Sequence, residues 1–283
     1  MSYNPEIPRN RYDNYGDREW TRLERDGHGE LLYRVHLDIL KRYVKPSDKV
    51  LEIGAGSGRY TKDIIGMCTE LTVADISGHQ IEFNKSKMRE LSLIEKIKSY
   101  HVLDVLDMGV YANSSFDCVV CIGGVINYLL DKEKDGIQEL LRVLKPNGIL
   151  IVGAMSFIGA SLYYLDDIRS KKDLFGIEAT RWVFETGIQD EEHYPVDSKH
   201  YVHMMRSVEI DELFAQFSVK VIERSSAGLF TQAGDVALEN ARQDNEIWQL
   251  VIEKEIEFTK LQGTLDCGMN IIYVVQKMKQ CGA

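Results

Sequence analysis

The stretch Lys49-Val50-Leu51-Glu52-Ile53-Gly54-Ala55-Gly56-Ser57-Gly58-Arg59-Tyr60-Thr61 constrains this chain more than any other. An apolar run meets an acid, three glycines follow at alternate positions, and a helical pattern begins at Tyr60. That order reads as a strand, a tight turn and a helix N-terminus. No Cβ stands at Gly54, Gly56 or Gly58, so a ligand can approach bare backbone beside unpaired N–H groups. A P-loop needs Lys-Ser/Thr after its last glycine, and Arg59-Tyr60 stands there instead. A dinucleotide loop, Gly-x-Gly-x-x-Gly, needs a third glycine so that the helix can pack on the strand. Counted from Gly54, that position is Arg59. Glu52, two residues before Gly54, would repel a pyrophosphate and suits a ligand bearing an ammonium group.

Apolar, β-branched runs alternate with amphipathic ones on either side of the loop. Strands are expected at Val50–Ile53, Leu71–Asp75, Ser99–Asp104, Phe116–Ile122 and Ile149–Ala154. Helices are expected from Gly29 to Pro46, at Tyr60–Cys68, Ile81–Leu91 and Lys134–Leu144. Strands apolar on both faces imply an α/β fold, a mostly parallel sheet covered by helices with right-handed crossovers. Ligands of such sheets bind outside the carboxyl ends of the strands. Glu52, Asp75 and Asp104 are all expected at those ends. Further on, helices are expected at Glu209–Phe217, with Ser207 as cap, and at Asn245 to Lys260. Strands are expected at Val219–Glu223 and Asn270–Val275. Residues 158–207 read as an irregular block rich in aromatics, among them Tyr163, Tyr164, Trp182, Phe184, Tyr194 and Tyr201. Neither an internal repeat nor a low-complexity segment is visible.

The balance of charge narrows the partners. With 34 Lys and Arg against 44 Asp and Glu, the net charge is -10. No dense basic run marks a nucleic-acid face. No apolar run has the roughly 18 residues a membrane span needs, and no basic segment followed by an apolar one opens the chain. The five scattered cysteines, Cys68, Cys118, Cys121, Cys267 and Cys281, fit a reduced compartment. A cytoplasmic protein, monomer or homodimer, is expected. Cys118 and Cys121 form a C-x-x-C on a strand, where they point to opposite faces about 10 Å apart. Neither a zinc site nor a redox pair follows, and no metal is expected.

In its loop and its strand ends the chain resembles the class I S-adenosylmethionine-dependent methyltransferases. Val50-Leu51-Glu52-Ile53-Gly54-Ala55-Gly56-Ser57-Gly58 matches the family's loop, and Asp75 and Asp104 its next two strand-end acids. Phe116-Asp117-Cys118-Val119-Val120-Cys121 resembles its fourth strand, and Lys145-Pro146-Asn147-Gly148 its turn into the fifth. The resemblance covers residues 46–157, with a helix and two strands at 209–277. It implies a doubly wound, seven-stranded, mostly parallel sheet of the Rossmann-like methyltransferase type. The implied parts are an N-terminal arm and helix at 1–45 (a lid), a cofactor-binding core at 46–157, an insertion at 158–207 covering the acceptor site, and the rest of the sheet at 208–283 with a helical insertion near 236–262.

The resemblance also implies S-adenosyl-L-methionine as methyl donor and S-adenosyl-L-homocysteine as product. Gly54, Ala55, Gly56 and Gly58 would lie against the methionine part, and Glu52 would help hold its ammonium group. Asp75, with Ile76 beside it, would accept from the ribose hydroxyls. Asp104 would accept from the adenine amine, with the Val105 amide nearby. Cys121 and Ile122 would pass beneath the ribose and methionine.

The acceptor is less marked. Ile122-Gly123-Gly124-Val125-Ile126-Asn127-Tyr128 stands where base N-methyltransferases carry Asn/Asp-Pro-Pro-Tyr/Phe. The chain is closer to the small-molecule group of the family, with an acceptor pocket drawn from residues 1–28, 123–130 and 158–207. An aromatic lining fits an apolar or cationic acceptor. Transfer from a sulfonium is an in-line displacement governed by alignment and exclusion of water. A general base is needed only for a protonated acceptor, and Tyr128, His200 and His203 are the candidates. His200 and His203 are expected to share a helix face. Two other readings remain open: a methyltransferase acting on a protein side chain or RNA, suggested by the arginine-bearing arm, and a cofactor-binding regulator without catalysis.

Overall fold

The computed structural model describes residues 2–16, 18–23, 25–193 and 200–279. Tyr194 and Cys281 lie outside them. Two short helices, α1 (Glu6–Asp13) and α2 (Arg18–Thr21), precede the long α3 (Gly27–Tyr43). The alternation then runs β1 (Lys49–Ile53), α4 (Thr61–Ile64), β2 (Glu70–Asp75), α5 (Gly78–Glu90), β3 (Ile97–Val102) and β4 (Phe116–Cys121). A 3₁₀ segment over Val125–Lys132, broken at Leu130, leads to α6 (Glu133–Val143) and β5 (Leu144–Met155). After these come α7 (Phe157–Tyr163), α8 (Leu165–Thr186), β6 (Ile188–Gln189), β7 (Val202–His203), α9 (Ser207–Phe214) and β8 (Val219–Ala227). The chain closes with α10 (Asp235–Arg242), α11 (Asn245–Phe258) and β9 (Asn270–Lys277).

Seven strands form one sheet in the order β3-β2-β1-β4-β5-β9-β8. The five strands from β3 to β5 pair in parallel, and β9 is antiparallel to both of its neighbours. The order reverses between β1 and β4, so the crevice for a ligand opens above that pair. Alternate residues feed two cores. Val50, Cys118, Val120 and Ile151 pack with Leu32, Val35 and Ile39 of α3. Leu51, Cys121, Val119 and Val152 pack with Leu140 of α6 and Leu213 and Phe214 of α9. Burial on both faces explains why these strands read as unbroken apolar runs. Cys118 and Cys121 fall into opposite cores, as the period of two requires.

Two helix starts differ from the expectation for a clear capping reason. α5 begins three residues earlier than its apolar pattern, at Gly78, because the Ser77 side chain caps it by accepting from the Gln80 N–H. Before α9, Ser207 is not the cap. Arg206 holds that position, its N–H donating to Glu209 at 2.7 Å, and the Ser207 hydroxyl donates to Asp266 instead. The helix expected over Tyr60–Cys68 is a single turn, and β3 ends at Val102, so Asp104 sits in the loop beyond it.

The larger correction concerns residues 158–207. The described ones are not irregular: α7 and α8 account for most of them, and β6 and β7 pair as an antiparallel ribbon. Aromatic density hid a helix whose buried side is thin. Within α8 only Ile168, Ala179, Thr180 and Val183 are buried, and the helix breaks at Gly176 with φ 83°. α10 and α11 pack Leu238, Trp248 and Ile252 against Leu31 of α3, forming a satellite core at the edge.

Candidate active site

The turn after β1 is shaped by Gly54 before anything else. Its φ is +70°, and a Cβ there would stand 2.2 Å from Val125 Cγ2, so no side chain fits. The strand above therefore delivers bare backbone to the crevice. The Gly56 N–H and the Ser77 N–H donate to the two oxygens of Asp75, each at 2.8 Å. They fix the carboxylate at the end of β2. Burial pushes the Asp75 carboxyl up to about 6, against the pull of those two backbone donors.

A cleft enclosing about 890 Å³, partly open to solvent, lies above these strand ends. Gly54, Ala55, Gly56, Asp75, Ile76, Asp104, Val105 and Ile122 line it. Glu52, Gly58 and Cys121 do not. Glu52 stands behind the loop, buried, accepting from the Thr61 hydroxyl at 2.7 Å, and burial pushes its carboxyl up to about 8. Gly58 faces Asn84, whose side chain a Cβ would meet at 2.7 Å. Cys121 lies in the core below, its thiol raised by burial.

The N-terminal segment forms the cleft's roof. Tyr3, Pro8, Tyr12, Glu19, Arg22 and Leu23 line it. The segment is tied to the strand ends at several points. The Tyr3 hydroxyl donates to Asp104 at 2.7 Å, and Asp13 accepts from the Ser77 hydroxyl and the His79 N–H. Gln80 donates to the carbonyls of Tyr12 and Gly16. Glu19 over the glycine loop is a carboxylate the motif did not flag. Its pairing with Arg22 at 2.7 Å follows the helical three-residue spacing, the one sequence signal that could have found it.

A second, larger chamber adjoins the first. It encloses about 1380 Å³, partly open to solvent, and shares Tyr12, Glu19, Arg22, Gly123 and Tyr128 with the cleft. α7, α8 and the strand β7 supply its far wall through Ala160, Ile168 and Val202, with Tyr164 from the link between the two helices. At the junction the Tyr128 hydroxyl meets the Tyr12 hydroxyl at 2.9 Å and His200 Nε2 at 2.8 Å. Burial and the positive charges of Arg11 and Lys171 push the His200 ring down to about 3, so it is a neutral imidazole. It can accept the Tyr128 proton.

His200 and His203 do not share a helix face. His200 precedes β7 in extended chain and His203 lies within that strand. Residues three apart in extended chain point to opposite sides. His203 turns away to Glu133, at 2.8 Å, in a separate acidic groove. The structure thus brings Tyr128 and His200 together and leaves His203 out. Among the described residues, no cluster of His, Cys, Asp and Glu could hold a metal ion.

Comparison with known proteins places this geometry. Residues 51–152 match a family model described as a methyltransferase domain. That stretch is a class I S-adenosylmethionine-dependent methyltransferase domain. The methyltransferase domain is 32% identical over 112 residues to the ubiquinone/menaquinone biosynthesis C-methyltransferase UbiE of Haemophilus ducreyi, covering 38% of this chain and 42% of that protein. The chain thus spans under half the length of that curated relative. Two solved structures share the fold. Phosphoethanolamine N-methyltransferase 1 of Haemonchus contortus, bound to phosphoethanolamine and S-adenosylhomocysteine, gives a TM-score of 0.60 at 14% identity, over 99% of this chain and 49% of that one. The N-methyltransferase NodS of Bradyrhizobium japonicum with S-adenosylhomocysteine gives 0.56 at 16%, over 98% and 100%. At such identities the likeness speaks for the fold alone. S-adenosylmethionine is the cofactor the family implies, and the cleft fits it. The glycine cradle excludes a Cβ, and Asp75 and Asp104 present carboxylates at the sheet edge. Among the described residues no helix is long and apolar enough to cross a membrane.

Proposed function

We propose that this protein methylates a small molecule held in the second chamber, with the methyl donor in the cleft over the strand ends. One observation supports this most strongly: the two cavities share a wall at Gly123 and Tyr128. A donor and an acceptor seated in them would meet there. Bound S-adenosylmethionine supplies a methyl carbon on a sulfonium, open to attack from the side opposite the sulfur.

The chain's own residues bind, align and exclude water. Gly54, Ala55 and Gly56 offer backbone to the amino-acid end of the donor. Asp75 accepts from two adjacent hydroxyls, a bidentate task for a carboxylate. Asp104 and the Val105 amide take an exocyclic amine. Ile76 and Ile122 pack against the flat parts. Glu52, Gly58 and Cys121 hold the loop and strand from behind rather than touch the ligand. The arm of residues 2–23 acts as the lid, and α7 and α8 cover the acceptor. Closing water out of such a site strengthens each electrostatic contact. Where the acceptor arrives protonated, the Tyr128 hydroxyl is placed to accept a hydrogen bond from it while donating its own to the neutral His200 Nε2.

The junction also weighs against the two other readings. A regulator without catalysis would have its acceptor space filled, and here a roomy chamber adjoins the cleft. A protein or RNA acceptor calls for a broad open face, whereas this chamber is walled by α7, α8 and the lid. Titration calorimetry with S-adenosylhomocysteine tests the donor half. One site per chain is expected, and the absence of heat together with no thermal shift at millimolar ligand would sink the proposal. Turnover of small molecules but not of bulk RNA or protein is expected from labelled S-adenosylmethionine.

A further inference from the structure

The acceptor chamber has an unbalanced charge. Arg11, Arg22 and Lys171 line it, against Glu19 and Asp167. Arg22 is held by Glu19 and Lys171 by Asp167. Among the described residues no carboxylate pairs with Arg11. Its Nε is buried and has no hydrogen-bond partner. Its guanidinium stands beside the Tyr128 hydroxyl and 6.0 Å from the centre of the Tyr15 ring. Among the described residues, then, this partly buried guanidinium has no acid beside it, an arrangement that a bound anion would relieve.

Two more polar atoms in the same chamber are buried without a partner: Ser161 Oγ and His28 Nδ1. His28 is neutral, its ring pushed down to about 4 by burial, and so is His200. They add no charge to the count. Apart from Gln189 and Asn270, most of the remaining lining is apolar or aromatic, with Met155, Met204 and Met269 among it. Methionine surfaces adapt to flat or irregular apolar bodies. Unpaired buried donors cost free energy that a ligand's acceptor atoms recover.

We propose that the methyl acceptor is a small organic carboxylic acid, its carboxylate seated on Arg11 and the Ser161 hydroxyl and its apolar body against the methionines. This rests on the reading of the second chamber as the acceptor site. The charge count favours a carboxylate over a phosphate. One unmatched cation balances a single negative charge, while a phosphate dianion would want two. The aromatic lining, taken from sequence alone, fitted an apolar or cationic acceptor. Arg11 turns that expectation toward an anion.

The test uses the whole chain saturated with S-adenosylhomocysteine. Benzoate, phenylacetate and 3-phenylpropionate are each compared with their primary amides, and with inorganic phosphate, by thermal shift and calorimetry. At least one acid is expected to bind while its amide does not. Arg11→Gln should weaken that acid by about 10- to 100-fold, the worth of a charge-assisted pair. Arg11→Lys should weaken it less, and S-adenosylhomocysteine should bind all three proteins alike, which also shows that they are folded. Equal binding of acid and amide overturns the proposal. So does phosphate binding more tightly than every acid, no acid binding at millimolar concentration, or acid affinity unchanged in Arg11→Gln. Loss of S-adenosylhomocysteine binding in the unaltered chain would instead remove the methyltransferase reading itself.

Discussion

The cleft and the chamber are neighbours built by different means. The cleft is written in backbone: a glycine turn, two strand ends and N–H groups that aim Asp75. The chamber is written in side chains that arrive from distant places. Arg11 and Tyr12 come from α1, Tyr128 from the 3₁₀ segment, His200 from the approach to β7 and Met269 from the approach to β9. Backbone placement depends on local sequence and tolerates change elsewhere. Side-chain convergence depends on the whole fold and can be retuned one residue at a time. That contrast suits a protein whose donor is fixed by its family and whose acceptor is its own.

Substitutions can break or sharpen the contrast. The largest effect is expected at Asp75. Asp75→Ala removes a bidentate acceptor and should weaken S-adenosylhomocysteine about 100-fold or more by calorimetry. An unchanged affinity would refute the assignment. Next comes Tyr128→Phe, which cuts the link between Tyr12 and His200. With a protonated acceptor, turnover should fall by about 100-fold while donor affinity holds. A parallel loss of donor affinity would mean that Tyr128 belongs to the cleft instead.

The third prediction is a pH profile. The Asp75 carboxyl sits at about 6 in the free protein, and only its ionised form accepts from two hydroxyls. Donor affinity should therefore be level above about pH 6 and fall roughly tenfold per unit below it. Asp75→Asn should bind weakly with no such step. The smallest effect is expected at Tyr3, whose hydroxyl competes for the Asp104 carboxylate. Tyr3→Phe should raise donor affinity by no more than about fivefold.

The same contrast explains what could be read from the sequence. The sheet was legible because strands buried on both faces are apolar throughout, as Val50, Leu51, Val119 and Val120 are. The lining by Gly54, Ala55, Gly56 and Asp75 was legible because turn chemistry is local. Helices α7 and α8 were not, because few of their residues are buried and the helical period is faint. The expected helix face for His200 and His203 failed because His203 lies in the short strand β7 and His200 just before it. Glu52 carries the motif's charge but faces Thr61 rather than the cleft. Which side of a strand end a carboxylate takes depends on the loop packed against it. Arg11 was visible as one arginine among several in the arm. Only the fold shows that, among the described residues, it alone of the chamber's cations is paired with no acid.

The central claim is that the two cavities meet at Gly123 and Tyr128 and that the reactive carbon lies at that meeting point. S-adenosylmethionine carrying a ¹³C-labelled methyl group, bound to the intact chain, tests it by nuclear Overhauser contacts from that methyl. Contacts to the Tyr128 ring and the Gly123 Cα protons are the predicted result. A bound methyl group touching neither residue would contradict the account.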